Sequence, residues 1–186
     1  MKTLIIGLGN PILGDDGVGW RVAEEVAQRL PSPPTPAPLR PPISELRNGG
    51  NEGGEEGRRG EGEVEVDTAS LGGLSLMERV TGYERVILID AIFTGQKPVG
   101  TVSQFALSDL PDLTAGHSAS AHDTSLRNAL TVGRKMNVPL PKDDDVFIVA
   151  IEAERVYDFT EELSPAVAAA VPQAIETVLH LIAQAE

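Results

Sequence analysis

The runs Leu4-Ile5-Ile6, Val86-Ile87-Leu88-Ile89 and Val146-Phe147-Ile148-Val149-Ala150-Ile151 are bulky and apolar without a break. A strand with one wet face alternates apolar and polar residues. A run without alternation is covered on both faces, the condition of a central strand in a parallel sheet. Helical patterns lie between and around these runs, at residues 18–30, 74–80 and 123–135. A last helix is expected from Pro165 to about Gln184, opened by Ser164 as N-cap and Pro165 in the first turn, with Pro172 as a mild kink. Two more strands are expected, an alternating one at 63–67 and one at 100–105 after the turn at 95–98. Strands that alternate with helices specify an α/β fold with a mainly parallel sheet and helices on both sides.

A chain of 186 residues has room for one domain with a real core, burying roughly 70% of the surface its unfolded form exposes. We read residues 1–186 as that single domain. Residues 31–62 are rich in proline at the start and in glycine and charge at the end, too polar to offset their ordering entropy, and are expected to form a mobile surface loop. Net charge is −13, from 28 acids against 15 lysines and arginines that form no stripe, so a phosphate backbone would be repelled and nucleic acid is excluded as a partner. With no cysteine, disulfides and thiolate chemistry are excluded, and a metal must be held by oxygen and imidazole. The N-terminal apolar run is broken by glycine, asparagine and acids too early for a signal peptide or a membrane span, which reads as cytoplasmic.

The candidate chemistry begins where the first strand ends. Gly9-Asn10-Pro11-Ile12-Leu13-Gly14-Asp15-Asp16-Gly17 is a glycine-rich turn between strand and helix that delivers two adjacent carboxylates at the carboxyl end of a strand, where open α/β sheets bind ligands. One aspartate suffices to cap a helix; two held together repel unless a cation or proton offsets them. Asp67 and Asp90 are expected to close the second and third strands, which brings four acids to one edge. His117 and His122 lie in the segment leading into the next helix, and His180, in the last helix, has no assigned role. Two carboxylates and one imidazole make an open site for a borderline divalent ion such as nickel or zinc. A dinucleotide fingerprint fails because Ile12 stands where its third glycine belongs, and no Gly-x-Ser-x-Gly elbow occurs.

The segments Ile-Gly-Leu-Gly-Asn-Pro, Asp-Asp-Gly-Val-Gly, Ile-Leu-Ile-Asp-Ala-Ile and Ser-Ala-His-Asp, in that order, resemble the maturation endopeptidases of nickel-iron hydrogenases over most of the chain apart from residues 31–62. The resemblance implies a three-layer α/β/α sandwich and an enzyme that removes a C-terminal extension from the hydrogenase large-subunit precursor once nickel is inserted. It places the catalytic and metal-contacting residues on Asp16, Asp90 and His122, choosing His122 over His117, with Asp15 and Asp67 in support. Nickel would arrive with the substrate and serve as recognition element or Lewis acid, and the empty site would also suit another divalent metal. Aspartate at position 16, where the family carries glutamate, is one methylene shorter, a difference of about 1.5 Å in reach. Two alternatives stand beside this reading. One is a non-catalytic nickel- and precursor-binding module on the same fold. The other is a peptidyl-tRNA hydrolase, which shares the Gly-Leu-Gly-Asn-Pro opening but needs a histidine soon after the first loop, where this chain has none before His117.

Overall fold

β1 (Thr3–Leu8) lies between β2 (Val64–Ala69) and β3 (Arg85–Ile92), parallel to both, so all six of its residues are buried. β3 pairs in parallel with β5 (Val146–Glu152), and β4 (Val102–Ala106) closes that edge antiparallel to β5, giving the order β2-β1-β3-β5-β4. The computed structural model describes residues 1–30, 63–109 and 121–184, the last of these with side chains from residue 126 onward. The loop expected at 31–62 and His117 lie outside the described residues.

The two faces of each central strand sort its side chains between two helical layers. Ile5, Ile87, Ile89, Val149 and Ile151 pack with α1 (Val18–Arg29) and α4 (Pro165–Ala183). Leu4, Ile6, Leu8, Leu88 and Ile148 pack with α2 (Gly73–Val80) and α3 (Ala121–Lys135). The three-layer sandwich is therefore two aliphatic cores sharing one sheet, each fully buried aliphatic residue contributing about 1.5–3 kcal/mol. α4 is long and apolar enough to cross a membrane, but Val167, Ala170, Ala174, Ile175, Val178 and Leu181 are buried in the core it shares with α1 and the sheet. It runs through Pro172, whose ring is exposed.

Three expectations need correction. Asp67 and Asp90 do not close their strands: β2 continues to Ala69 and β3 to Ile92, because Leu8 and Glu152 extend the neighbouring strands far enough to pair with them. Both acids therefore project from the sheet itself and not from loops. Ser164 occupies the N-cap position of α4, yet its hydroxyl makes no capping hydrogen bond. Its N–H is instead bound by a distant carboxylate, described below. At the amino end of the sheet, the buried Glu65 accepts from the Tyr83 hydroxyl at 2.5 Å and pairs with Lys2 at 2.8 Å, while Arg85 stacks on Phe147 at 4.5 Å. Burial lowers the Arg85 pKa from its ordinary value, and Asp145 partly opposes the shift.

α1 crosses β1 and β3 so closely that its second residue must be glycine. A Cβ on Gly19 would lie 2.3 Å from the Leu8 carbonyl oxygen and 2.4 Å from that of Ile89, both backbone atoms that cannot swing aside. We expect Gly19→Ala to destabilise the protein by about 2–3 kcal/mol through overpacking, lowering Tm by about 5–10 °C in a thermal melt. An unchanged Tm would mean that α1 rides higher on the sheet than described.

Candidate active site

From β1 the chain leaves through α1 on one face to reach the edge strand β2, and from β2 it returns through α2 on the other face to β3. From β3 the chain goes on in the other direction, to β4 and β5, so the connections diverge between β1 and β3 and the carboxyl ends of these two strands form a topological switch point, the usual ligand position in open α/β sheets. Asp16 follows β1 and Asp90 lies on β3.

The first loop is built to hold Asp16 over its own beginning. Gly9 has φ +114°, and a Cβ there would come within 1.8 Å of the Asp16 carbonyl oxygen, so no other residue fits. The Asn10 N–H donates to Asp16 Oδ2 at 2.7 Å, the Ile12 N–H to Asn10 Oδ1 at 3.2 Å and the Asp16 N–H to the Leu13 carbonyl at 3.2 Å. Ser70, just beyond β2, donates its hydroxyl to the Gly9 carbonyl at 2.6 Å and ties the turn to the sheet. Asp16 is left half-buried at the carboxyl edge, within the short 3-10 turn Gly14–Gly17.

Its neighbour is spent on structure. Asp15 is fully buried; its Oδ1 accepts the Ser164 N–H at 2.6 Å and its Oδ2 the Arg155 N–H at 3.2 Å. The Ser164 bond gives α4 the carboxylate partner at its N-cap N–H that a capping box usually supplies from within the helix. Backbone bonds follow the same seam: Asp15 N–H to the Arg155 carbonyl at 3.0 Å, Gly14 N–H to the Thr160 carbonyl at 2.7 Å and Thr160 N–H to the Ile12 carbonyl at 3.1 Å. Asp15 thus bolts the loop after β1 to the loop after β5.

Asp90 is buried on β3, on the face of Leu88 and Ile92 that packs against α2 and α3. Residue 122 sits in the first turn of α3, in the layer that covers this face, and its side chain lies outside the described residues. Asp67 stands opposite Ile6 on the same face and accepts from Arg79 Nε of α2 at 2.5 Å, so it ties strand to helix. Among the described residues no three histidines or acids form a metal-holding cluster. Glu152, which the sequence reading passed over, is buried at the end of β5. It accepts from Thr94 N–H at 2.7 Å, Thr94 Oγ1 at 2.8 Å and Gly95 N–H at 2.9 Å, fastening the loop after β3. It carries the signal used for Asp90, an acid directly after an apolar strand.

Two adjacent aspartates therefore predict different phenotypes. Asp15→Ala strands two backbone donors and should cost about 3 kcal/mol, a Tm drop of about 6–12 °C. Asp16→Ala gives up a bond at a half-exposed position and should cost about 1 kcal/mol. Equal losses in chemical denaturation would contradict this division.

The sequence model of the HycI hydrogenase maturation protease family matches residues 55–181, a stretch that contains Asp67, Asp90 and His122. The chain is 22% identical over 183 residues to the hydrogenase expression/formation protein HupD of Thiocapsa roseopersicina, covering 98% of this chain and 68% of that one. It is 23% identical to HupD of Rhizobium leguminosarum bv. viciae, covering 97% and 74%. Among solved structures, the hydrogenase maturating endopeptidase HybD from E. coli superposes with a TM-score of 0.70 at 22% identity, over 100% of this chain and 94% of that one. The [NiFe] hydrogenase maturation protease HybD from Thermococcus kodakarensis gives 0.64 at 22% identity, over 98% and 99%. The structural likeness extends the fold through the first loop, which the family match does not reach. A family match through more than half of the sequence decides the assignment, and the chain belongs to the hydrogenase maturation proteases, an endopeptidase family.

Proposed function

We propose that this protein removes the C-terminal extension of a nickel-iron hydrogenase large-subunit precursor after nickel has been inserted, and that it acts only on the loaded precursor. The observation that carries the reading is the position of Asp16 and Asp90 on either side of the divergence between β1 and β3, in a chain of the maturation protease family. With His122 at the start of α3, these residues offer two oxygen donors and one imidazole nitrogen, a set suited to a borderline divalent ion.

Nickel here is part of the substrate. Three protein donors leave coordination positions open, so the site binds free metal modestly and completes the shell of an ion the precursor already holds. A cation held by both Asp16 and Asp90 gains from two carboxylates at once, and that gain is reserved for a metal-bearing partner. Asp16, Asp90 and His122 would hold the precursor's nickel, which would serve as the recognition element or supply Lewis acidity for peptide hydrolysis.

Intact-mass spectrometry of precursor incubated with the purified protein tests this directly. Loss of a C-terminal peptide is expected from nickel-loaded precursor and not from nickel-free precursor; equal processing of both would end the gating. Binding without any mass loss would establish the non-catalytic module instead. Asp16→Asn, Asp90→Asn and His122→Ala should each lower processing by at least about 100-fold, with Tm unchanged within about 3 °C. Full activity in His122→Ala would remove that residue from the site.

A further inference from the structure

The carboxyl edge of the sheet carries exposed apolar side chains that the metal ligands do not account for. Phe93 follows β3 and is 63% exposed; Tyr157 and Phe159, in the loop after β5, are each 86% exposed. These are three of only seven aromatic residues in the chain, whose cores are filled almost entirely by aliphatic side chains. Ile12, in the loop after β1, is also exposed. Single exposed apolar residues are ordinary, but large aromatic ones gathered along one functional edge mark a contact surface.

The loops that carry them are fixed. Glu152 binds Thr94 and Gly95 next to Phe93, and the Ala153 N–H reaches the Ile92 carbonyl at 2.8 Å. Asp15 and the pairing of Leu13 with Thr160 hold the segment that bears Tyr157 and Phe159. Two buried carboxylates thus present aromatic side chains in a set backbone geometry, and a surface ordered before binding loses little entropy when a partner arrives. Charge on the same loop is mostly negative: Glu154, Asp158, Glu161 and Glu162 against Arg155, which is itself paired with Asp158 at 2.7 Å.

We propose that Phe93, Tyr157 and Phe159, with the acidic residues around them, form a docking surface for a basic, apolar-bearing polypeptide segment of the large-subunit precursor, separate from the residues that meet its nickel. The inference rests on the precursor reading above. The occupant follows from continuity with the candidate site, from the aromatic anchors that dominate protein interfaces, and from charge complementarity with a chain of net charge −13.

Binding of nickel-free precursor to the full-length protein, measured by interferometry, isolates this surface from the metal. Tyr157→Ser/Phe159→Ser should weaken Kd at least about ten-fold and raise KM for nickel-loaded precursor similarly, with kcat unchanged and Tm within about 2 °C. Glu161→Lys/Glu162→Lys should weaken binding most at low salt. Met136→Ser, at an exposed apolar position at the far end of α3, should change none of these values. Unchanged Kd and KM in the aromatic double variant would overturn the inference while cleavage still upheld the protease reading. Binding lost in the double variant, with no cleavage by the wild type, would support the docking surface and sink the protease reading. No binding by the wild type would overturn the inference, and so would a wild-type dimer that the double variant dissociates without loss of precursor binding.

Discussion

A carboxylate with no solvent exposure organises the working end of this protein. Asp15 reaches from the loop after β1 to the backbone of Arg155 and Ser164, and so sets the loop after β5 and the start of α4 in one step. Buried charge is tolerable where the oxygens are satisfied, and here two backbone N–H groups approach them, one at the N-cap of a helix, where the aligned peptide dipoles also favour negative charge. That bond joins three backbone contacts along the seam, the Arg155–Asp158 pair and the packing of Val156 and Leu163 in defining the loop that bears Tyr157 and Phe159. Asp16 shares that turn: the 3-10 segment that buries Asp15 leaves Asp16 half-buried beside it, its Oδ2 held by the Asn10 N–H.

Much of this was legible in the sequence. Unbroken apolar runs announced the central strands, because only a strand covered on both faces can dispense with alternation. Leu4, Leu88 and Ile148 on one side of the sheet and Ile5, Ile89 and Val149 on the other show why: each run serves two cores at once. Boundaries were less visible. A charged residue at position 67 or 90 looks like the end of a strand, yet pairing with β1 and β5 carries β2 and β3 two residues further. Asp67 can sit inside a strand because Arg79 of α2 meets it, a partner supplied by tertiary packing that local composition does not reveal. Ser164 misled for the same reason, since its capping partner lies 149 residues away.

The acids at the carboxyl edge also divide in a way sequence could not show. Asp15, Asp67, Asp16, Asp90 and Glu152 share a chemistry and a position near strand ends, and proximity in sequence makes Asp15 and Asp16 look interchangeable. Their partners separate them. Asp15 and Glu152 are buried and bound by backbone N–H groups of other loops, and Asp67 is paired with an arginine, so these three build the frame. Asp16 follows β1 and Asp90 lies on β3, either side of the switch in connection direction, and these are the acids proposed above to meet the ligand.

That division bears on how a maturation protease selects its substrate. A site of three donors with open positions has little affinity for free metal, while an aromatic surface without the metal would hold loaded and empty precursor alike. On the two proposals together, the surfaces would act in sequence: docking of a polypeptide segment would raise the effective concentration of the precursor's metal at the carboxylates, and only a metal in place would complete the contact. The rigidity of the edge is what would couple them, because a linker that let the docking loop drift from the switch point would dilute the second encounter. Asp15 and Glu152, which touch neither partner in this scheme, set that distance. Under the proposed function, discrimination between loaded and empty precursor would therefore depend as much on the buried carboxylates that fix the loops as on the acids proposed to face the metal.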